Sequence, residues 1–129
     1  MEDFYVTLRN FASQNYYPDN RPVSFTNVLP KTLELTSNYK VALVSAIFVG
    51  QDQPHLITAP GLVQPQIFGD SYLPLLAIAY KNNGVFKKQY HQLANTSIKE
   101  ISIEITTPTG AFILPKDVPT LITLHFKQT

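Results

Sequence analysis

Ile101-Ser102-Ile103-Glu104-Ile105 and Ile122-Thr123-Leu124-His125-Phe126 each place an apolar side chain at every second position. Successive side chains of an extended chain point to opposite faces, so both runs describe strands with one buried and one wetted face. Phe4, Val6 and Leu8 alternate with Tyr5, Thr7 and Arg9 in the same way. Short runs of this kind recur along the chain, closed off by Pro, Asn and Gly, and almost no stretch has helical spacing. The chain is expected to be all-β.

After the opening strand, Asn15-Tyr16-Tyr17-Pro18-Asp19-Asn20 supplies turn formers. Val23 to Leu29 and Thr32 to Thr36 read as two short strands parted at Pro30. Tyr39 to Val49 is the longest apolar stretch, suited to a central strand covered on both faces, with a short helix as the competing reading. Gln53-Pro54, Ala59-Pro60-Gly61 and Gln64-Pro65 then punctuate the middle, where strands are expected only as edges or extended crossings, because proline cannot donate to a ladder. Val63 to Phe68 and Tyr72 to Tyr80 follow, separated by Gly69-Asp70-Ser71, and Asn82-Asn83-Gly84 predicts a tight hairpin. Lys87 to Asn95 reads as a loop or one helical turn. Ile98 to Thr106 and Thr120 to Lys127 close the chain, joined through Thr107-Pro108-Thr109-Gly110 and the segment Ala111 to Leu114.

About eight strands spaced by turn signals predict one domain, residues 1–129, built as a single jelly-roll-like antiparallel β-sandwich. A Greek-key sandwich of immunoglobulin type is the alternative. The 129 residues suffice for one core and not for two. Only 15% of residues are charged against 44% hydrophobic, so the surface must be covered by neutral polar residues or by another subunit. A formal charge of +1 implies no broad attraction to nucleic acid or anionic lipid.

The chain has no cysteine, which excludes disulfides and thiolate metal sites. Met1-Glu2-Asp3-Phe4 carries acids where a signal peptide needs cations, so synthesis without secretion is expected. The Val41 to Val49 run is too short for a membrane span of about 20 residues. Asn95-Thr96-Ser97 matches a glycosylation sequon, a chance match if no secretory signal exists.

Reaction chemistry finds no foothold. His55, His91 and His125 lack a second ligand-type residue at zinc-site spacing, and His125 belongs to the non-core side of its strand. The acids are scattered over different turns and strands, no Gly-x-Ser-x-Gly or Ser-x-x-Lys occurs, and the five glycines form no phosphate-cradling loop. Neither a catalytic residue, a metal nor a cofactor is expected. Lys87-Lys88 between Phe86 and Tyr90 outlines a minimal stacking and cation patch for single strands, but two lysines beside an Asn-Gly turn more often mark a solvated hairpin end, and nucleic-acid binding is not expected.

The aromatic residues divide by position. Phe4, Phe25, Phe48, Phe68 and Phe126 lie in strands and read as core, whereas several tyrosines lie at strand ends and turns. Tyrosine there buries area while keeping a polar tip satisfied, a habit of interfaces. Candidate contact residues are Tyr16, Tyr17, Asp19 and Asn20 in the first long turn, Tyr72 near the Gly-Asp turn, and Lys87, Lys88, Tyr90 and His91 in the polar loop. Turn tyrosines that merely cap their own sheet are the equal alternative.

Two blocks carry a family resemblance. Phe4-Tyr5-Val6-Thr7-Leu8, Tyr16-Tyr17-Pro18-Asp19-Asn20, Phe25-Thr26, Leu29-Pro30, Leu33-Glu34-Leu35 and Val41-Ala42-Leu43-Val44 form the first. Val63-Gln64-Pro65-Gln66-Ile67-Phe68-Gly69-Asp70-Ser71-Tyr72, Pro74-Leu75-Leu76, Ile101 to Ile105, Gly110 and Leu124-His125-Phe126-Lys127 form the second. Together they resemble a late virion protein family of Polinton (Maverick) elements and adintovirus-like DNA viruses. Members of that family are commonly longer between the blocks, where this chain has only Phe48 to Leu62. They also tend to carry tryptophan at the position of Tyr39, and an acid where Ser45-Ala46 stands.

The resemblance implies a minor capsid protein of penton type, located in the virion, with a single jelly roll. Its implied partners are further copies of itself, a pentamer foremost, and the major capsid protein. A receptor- or glycan-binding head domain on the particle surface is the alternative function. The shortened central region weighs against a projecting spike.

Overall fold

The computed structural model describes residues 2–50, 53–80 and 88–129. Among the described residues, ten strands run in the order β1 (Phe4–Arg9), β2 (Ser24–Glu34), β3 (Tyr39–Ile47), β4 (Pro54–Thr58), β5 (Gln66–Phe68), β6 (Ser71–Leu73), β7 (Leu75–Tyr80), β8 (His91–Gln92), β9 (Ser97–Thr106) and β10 (Leu121–Gln128). Eight of them form two four-stranded sheets, ordered β1-β10-β3-β8 and β2-β9-β4-β7, while β5 and β6 form a separate hairpin. The pairings are antiparallel and nested: β1 with β10, β2 with β9, β3 with β8, β4 with β7, and β5 with β6. Such nesting arises when one long hairpin is folded over upon itself. Pairing of β10 with β3 and of β4 with β9 then joins its turns into sheets.

The alternating positions meet between the sheets. Ile101, Ile103 and Ile105 of β9, Ile57 of β4 and Phe25 of β2 pack against Leu8, Val41, Leu43, Ile122, Leu124 and Phe126 from the other sheet. Their burial, at about 25 cal/mol per Å² of apolar surface, is the dominant favourable contribution to folding. Phe4 stacks on Phe126, its cross-strand partner, with ring centroids 4.9 Å apart. Tyr39 seals that corner with its ring buried and its hydroxyl donating to the Glu2 carbonyl at 3.1 Å.

Polar side chains close the borders of the sheets. The Asn27 amide bonds both backbone groups of Arg9, accepting from its N–H at 2.9 Å and donating to its carbonyl at 2.8 Å. A β2 side chain thereby stands in for a strand beside the end of β1 and ties the two sheets together. Outward from β2, the segment between β1 and β2 covers backbone groups from Ser24 to the Val28 amide. Ser24 exchanges two bonds with Arg21, Asn20 pairs with both the amide and the carbonyl of Thr26, and the Val28 amide donates to Ser13 Oγ. Across the sandwich, His91 of β8 donates from Nε2 to the Leu76 carbonyl of β7 at 2.8 Å, a second tie between the sheets.

The antiparallel sandwich expected from periodicity is the fold found, and no helix occurs among the described residues. Tyr39 to Val49 is a strand and not the competing helix, ending at Ile47. An immunoglobulin-type order does not fit, because the first strand pairs with the last. Several boundaries need correction. Residues 24–34 are one strand and not two: β2 runs through Pro30 at a register shift between Val28 and Leu33, on a border strand where a missing N–H leaves no partner unbonded.

β4 was expected only as an edge or crossing, yet it lies inside its sheet between β9 and β7, with Pro54 as its first residue, where no ladder donor is required. Tyr72 to Tyr80 is broken at Pro74 into β6 and β7, and Val63 to Phe68 contracts to β5, with Val63 outside the strand and bridged to Leu93. Within the supposed loop Lys87 to Asn95, His91 and Gln92 pair with Val41 and Lys40 as β8. Phe68, expected in the core, is exposed because its hairpin is too short to have an inside face. The predicted Asn82-Asn83-Gly84 hairpin lies outside the described residues.

Replacing Asn27 by alanine removes the tie to Arg9 and leaves the Arg9 amide without a partner, while its carbonyl keeps the bond from the Ala12 amide. Urea unfolding should show a loss of about 1–3 kcal/mol with an unchanged m-value. A change below the ordinary surface range of about 0.5 kcal/mol would show that water replaces the amide at no cost.

Candidate functional site

Hydrogen bonds gather the connections into two groups. Asn10 donates from Nδ2 to the Val118 carbonyl at 3.0 Å and accepts from the Thr120 amide at 2.9 Å, which fastens the β1–β2 connection to the β9–β10 connection. His55, fully buried at the start of β4, lies between the rings of Phe48 and Phe112 at centroid distances of 5.0 and 5.5 Å, so the β3–β4 connection joins this group. Gly50 is required there: a Cβ would come within 2.6 Å of His55 Cε1 and 2.9 Å of Phe48 Cε2. In the other group, the Ala94 amide donates to the Leu62 carbonyl at 2.8 Å and the Leu35 amide to the Thr96 carbonyl at 2.8 Å.

The sequence-predicted contact residues do not form one patch. Tyr16, Tyr17, Asp19 and Asn20 belong to the β1–β2 connection, whereas Tyr72 lies on β6. Tyr16 and Tyr72 are exposed, at 72% and 73% of their surface. Asp19 is exposed as well. Tyr17 is half-buried and its hydroxyl donates to the Glu100 carboxylate on the outer side of β9. Asn20 points inward and spends its amide on Ala12 and Thr26, so its place in the fold is structural. Lys87 lies outside the described residues.

Lys88 and Tyr90 precede β8, and His91 begins it. The Tyr90 hydroxyl meets His125 Nδ1 at 2.7 Å, and the Lys127 and Lys88 ammonium groups lie 5.2 and 5.7 Å from the centre of its ring. Tyr5 stacks on the other side of His125 at 4.6 Å. His125 thus occupies the non-core face expected of it, held between two tyrosines, with Asp3 Oδ2 3.9 Å from Nε2. His91 turns into the sandwich as the tie to Leu76. Among the described residues, no three His, Cys, Asp or Glu side chains come together as a metal site, and no helix is long and apolar enough to cross a membrane.

Apolar side chains left in water mark surfaces that the sequence reading did not single out. Ile47, Val49, Ile113 and Leu121 are exposed on or beside the β3–β4 and β9–β10 connections, and Ile47 and Leu121 are cross-strand partners. On the β5–β6 hairpin, Ile67 and Tyr72 face each other across the pair, both exposed. The alternation Phe112 in, Ile113 out was a signal for the former, as was an apolar pair on a three-residue hairpin for the latter. No protein-family model, curated protein or solved structure matches the chain.

Two tyrosines should titrate late. The bond to Glu100 is the main cause that raises the Tyr17 pKa above the ordinary 10.0, followed by partial burial and the negative charge of that carboxylate. Burial raises Tyr39 first, then the charges of Asp3 and Glu2. A raised folded-state pKa means that the Tyr17 contribution is complete below pH 10 and is lost as pH rises through the folded value. Phenolate absorbance should therefore show late-ionising groups, one of which vanishes in Tyr17→Phe; an unchanged titration would remove the Glu100 bond from solution. Gly50→Ala should cost about 1–3 kcal/mol in urea unfolding, the usual penalty for overpacking.

Proposed function

We propose that the protein is a structural subunit of a virus particle, a minor capsid protein of penton type that associates with copies of itself and with a major capsid protein. The observation that carries this reading is the nested strand order, which supports a jelly roll: a single rolled hairpin of two four-stranded sheets. Fold alone does not fix function. The family resemblance of the two sequence blocks supplies the particle, and the surface supplies the habit of association.

Low charge density suits close packing of like subunits, since 15% charged residues and a net charge of +1 leave little mutual repulsion. Ile47, Val49, Ile113 and Leu121 offer apolar area on the loop side of the sandwich. A closed ring needs one flank to fit a different flank of its neighbour, and a rigid sandwich with unlike sides can meet that demand.

The second reading, a virion-surface head that binds a receptor or glycan, draws on the β5–β6 hairpin. Ile67 and Tyr72 there present an exposed apolar and aromatic pair suited to a ligand.

Native mass measurement of the purified protein, alone and with its major capsid partner, followed by imaging, separates the two. The penton reading expects fivefold rings that enter shells, whereas the head reading expects trimers or monomers that bind cells. Ile113→Asp combined with Ile47→Asp should abolish rings while changing stability by no more than about 1 kcal/mol, because both side chains are exposed. A strictly monomeric wild-type protein that never enters particles would refute the penton reading.

A further inference from the structure

β1 is a border strand of its sheet, paired on one side with β10. Because Asn27 holds the Arg9 amide and carbonyl, those groups point away from β10. Antiparallel alternation sends the backbone groups of Thr7 and Tyr5 to the same outer side. Among the described residues, no loop or side chain bonds them there. The border formed by β2 is covered along Ser24 to Val28, whereas that of β1 has no proline, bulge or covering segment over Tyr5 to Thr7. An open edge of this kind is a template for another strand.

We propose that this edge pairs with the same edge of a second copy, antiparallel and about a twofold axis at Val6. It rests on the reading that copies of this chain associate, and names a contact that links one ring to another. The strand is complementary to its own reverse. With Val6 opposite Val6, Tyr5 meets Thr7, Phe4 meets Leu8, and Asp3 meets Arg9 at each end.

Phe4, Val6 and Leu8 share the core side in both copies, so apolar faces align, and each Arg9 comes opposite Asp3, whose carboxylate also accepts from the Gln128 amide of its own chain at 2.9 Å. The hydrogen-bonding pairs are Tyr5 with Thr7, which gives about four backbone bonds. Other registers fail: centring on Tyr5 leaves Arg9 without Asp3, and centring on Thr7 needs the Arg9 backbone that Asn27 occupies. One such contact is weak, but a ring that presents several gains from effective concentration.

Cross-linking tests the pairing cleanly because the chain has no cysteine. Val6 and its counterpart would form a non-hydrogen-bonded pair with Cα atoms about 4.5 Å apart, within disulfide reach. Oxidised Val6→Cys should run as a covalent dimer on a non-reducing gel, and Thr123→Cys, on the neighbouring strand, should not. Adding Thr7→Pro, which removes an edge donor unused within the chain, should lower the dimer yield roughly tenfold.

Arg9→Asp should also lower it, and Asp3→Arg with Arg9→Asp should restore it, a readout that does not depend on the proline variant folding. Val6→Cys that cross-links no better than Thr123→Cys, or a yield indifferent to both Thr7→Pro and the charge swap, would overturn the pairing. Native mass measurement of the same samples keeps the two ideas apart. Rings without cross-linked dimers refute the edge contact alone, and dimers without rings refute the ring alone.

Discussion

A two-layered sandwich must satisfy the backbone groups along its border strands, and in this protein side-chain amides and an imidazole do so. Asn27 gives Arg9 both partners that a further strand would give, while Asn20 does the same for Thr26. On the opposite flank, His91 reaches the Leu76 carbonyl from the other sheet. Each contact replaces a hydrogen bond to water with one inside the protein, a small net gain individually. Their larger effect is geometric. With a tie at each flank, the sheets hold a fixed separation and the core side chains meet in one arrangement.

Packing and connections then divide the labour. The interior is built from branched aliphatic residues and phenylalanine, with His55 enclosed between Phe48 and Phe112 as one of the buried polar residues, beside Asn10 and Thr120. The connections carry what the core cannot use, including the exposed Ile113 and the Tyr72 ring. Tyr90, His125 and Tyr5 show an intermediate case. They lie outside the core, yet Tyr5 stacks on His125 and Tyr90 meets it edge-on, so these aromatics cover their own sheet as well as offering a surface.

How far the sequence is legible depends on how much each residue's environment is local. β1, β9 and β10 have one wet face, and their alternation locates them to within a residue of the observed limits. β4 buries His55, Leu56, Ile57 and Thr58 on consecutive positions, which erases the period of two, and the nearby prolines mask it further. β8 has only two residues and exists because β3 is beside it, so no local signal marks it. Asn20 reads as a turn residue and Asn27 only as a position within a strand until the border of β2 is known. The exposure of Tyr16 and Tyr72 follows from their turn settings, while the inward aim of His91 follows only from the sheet opposite.

The nested order also sets a timetable for the chain as it is made. β1 emerges first from the ribosome, but the strand that it pairs with, β10, is the last. β10 also separates β1 from β3, so the first sheet cannot close before the final strand arrives. High contact order of this kind slows folding and prolongs exposure of unpaired strands. The β5–β6 hairpin and the β4–β7 pair around it are the shortest closures available, and assembly that starts there can grow outward one layer at a time.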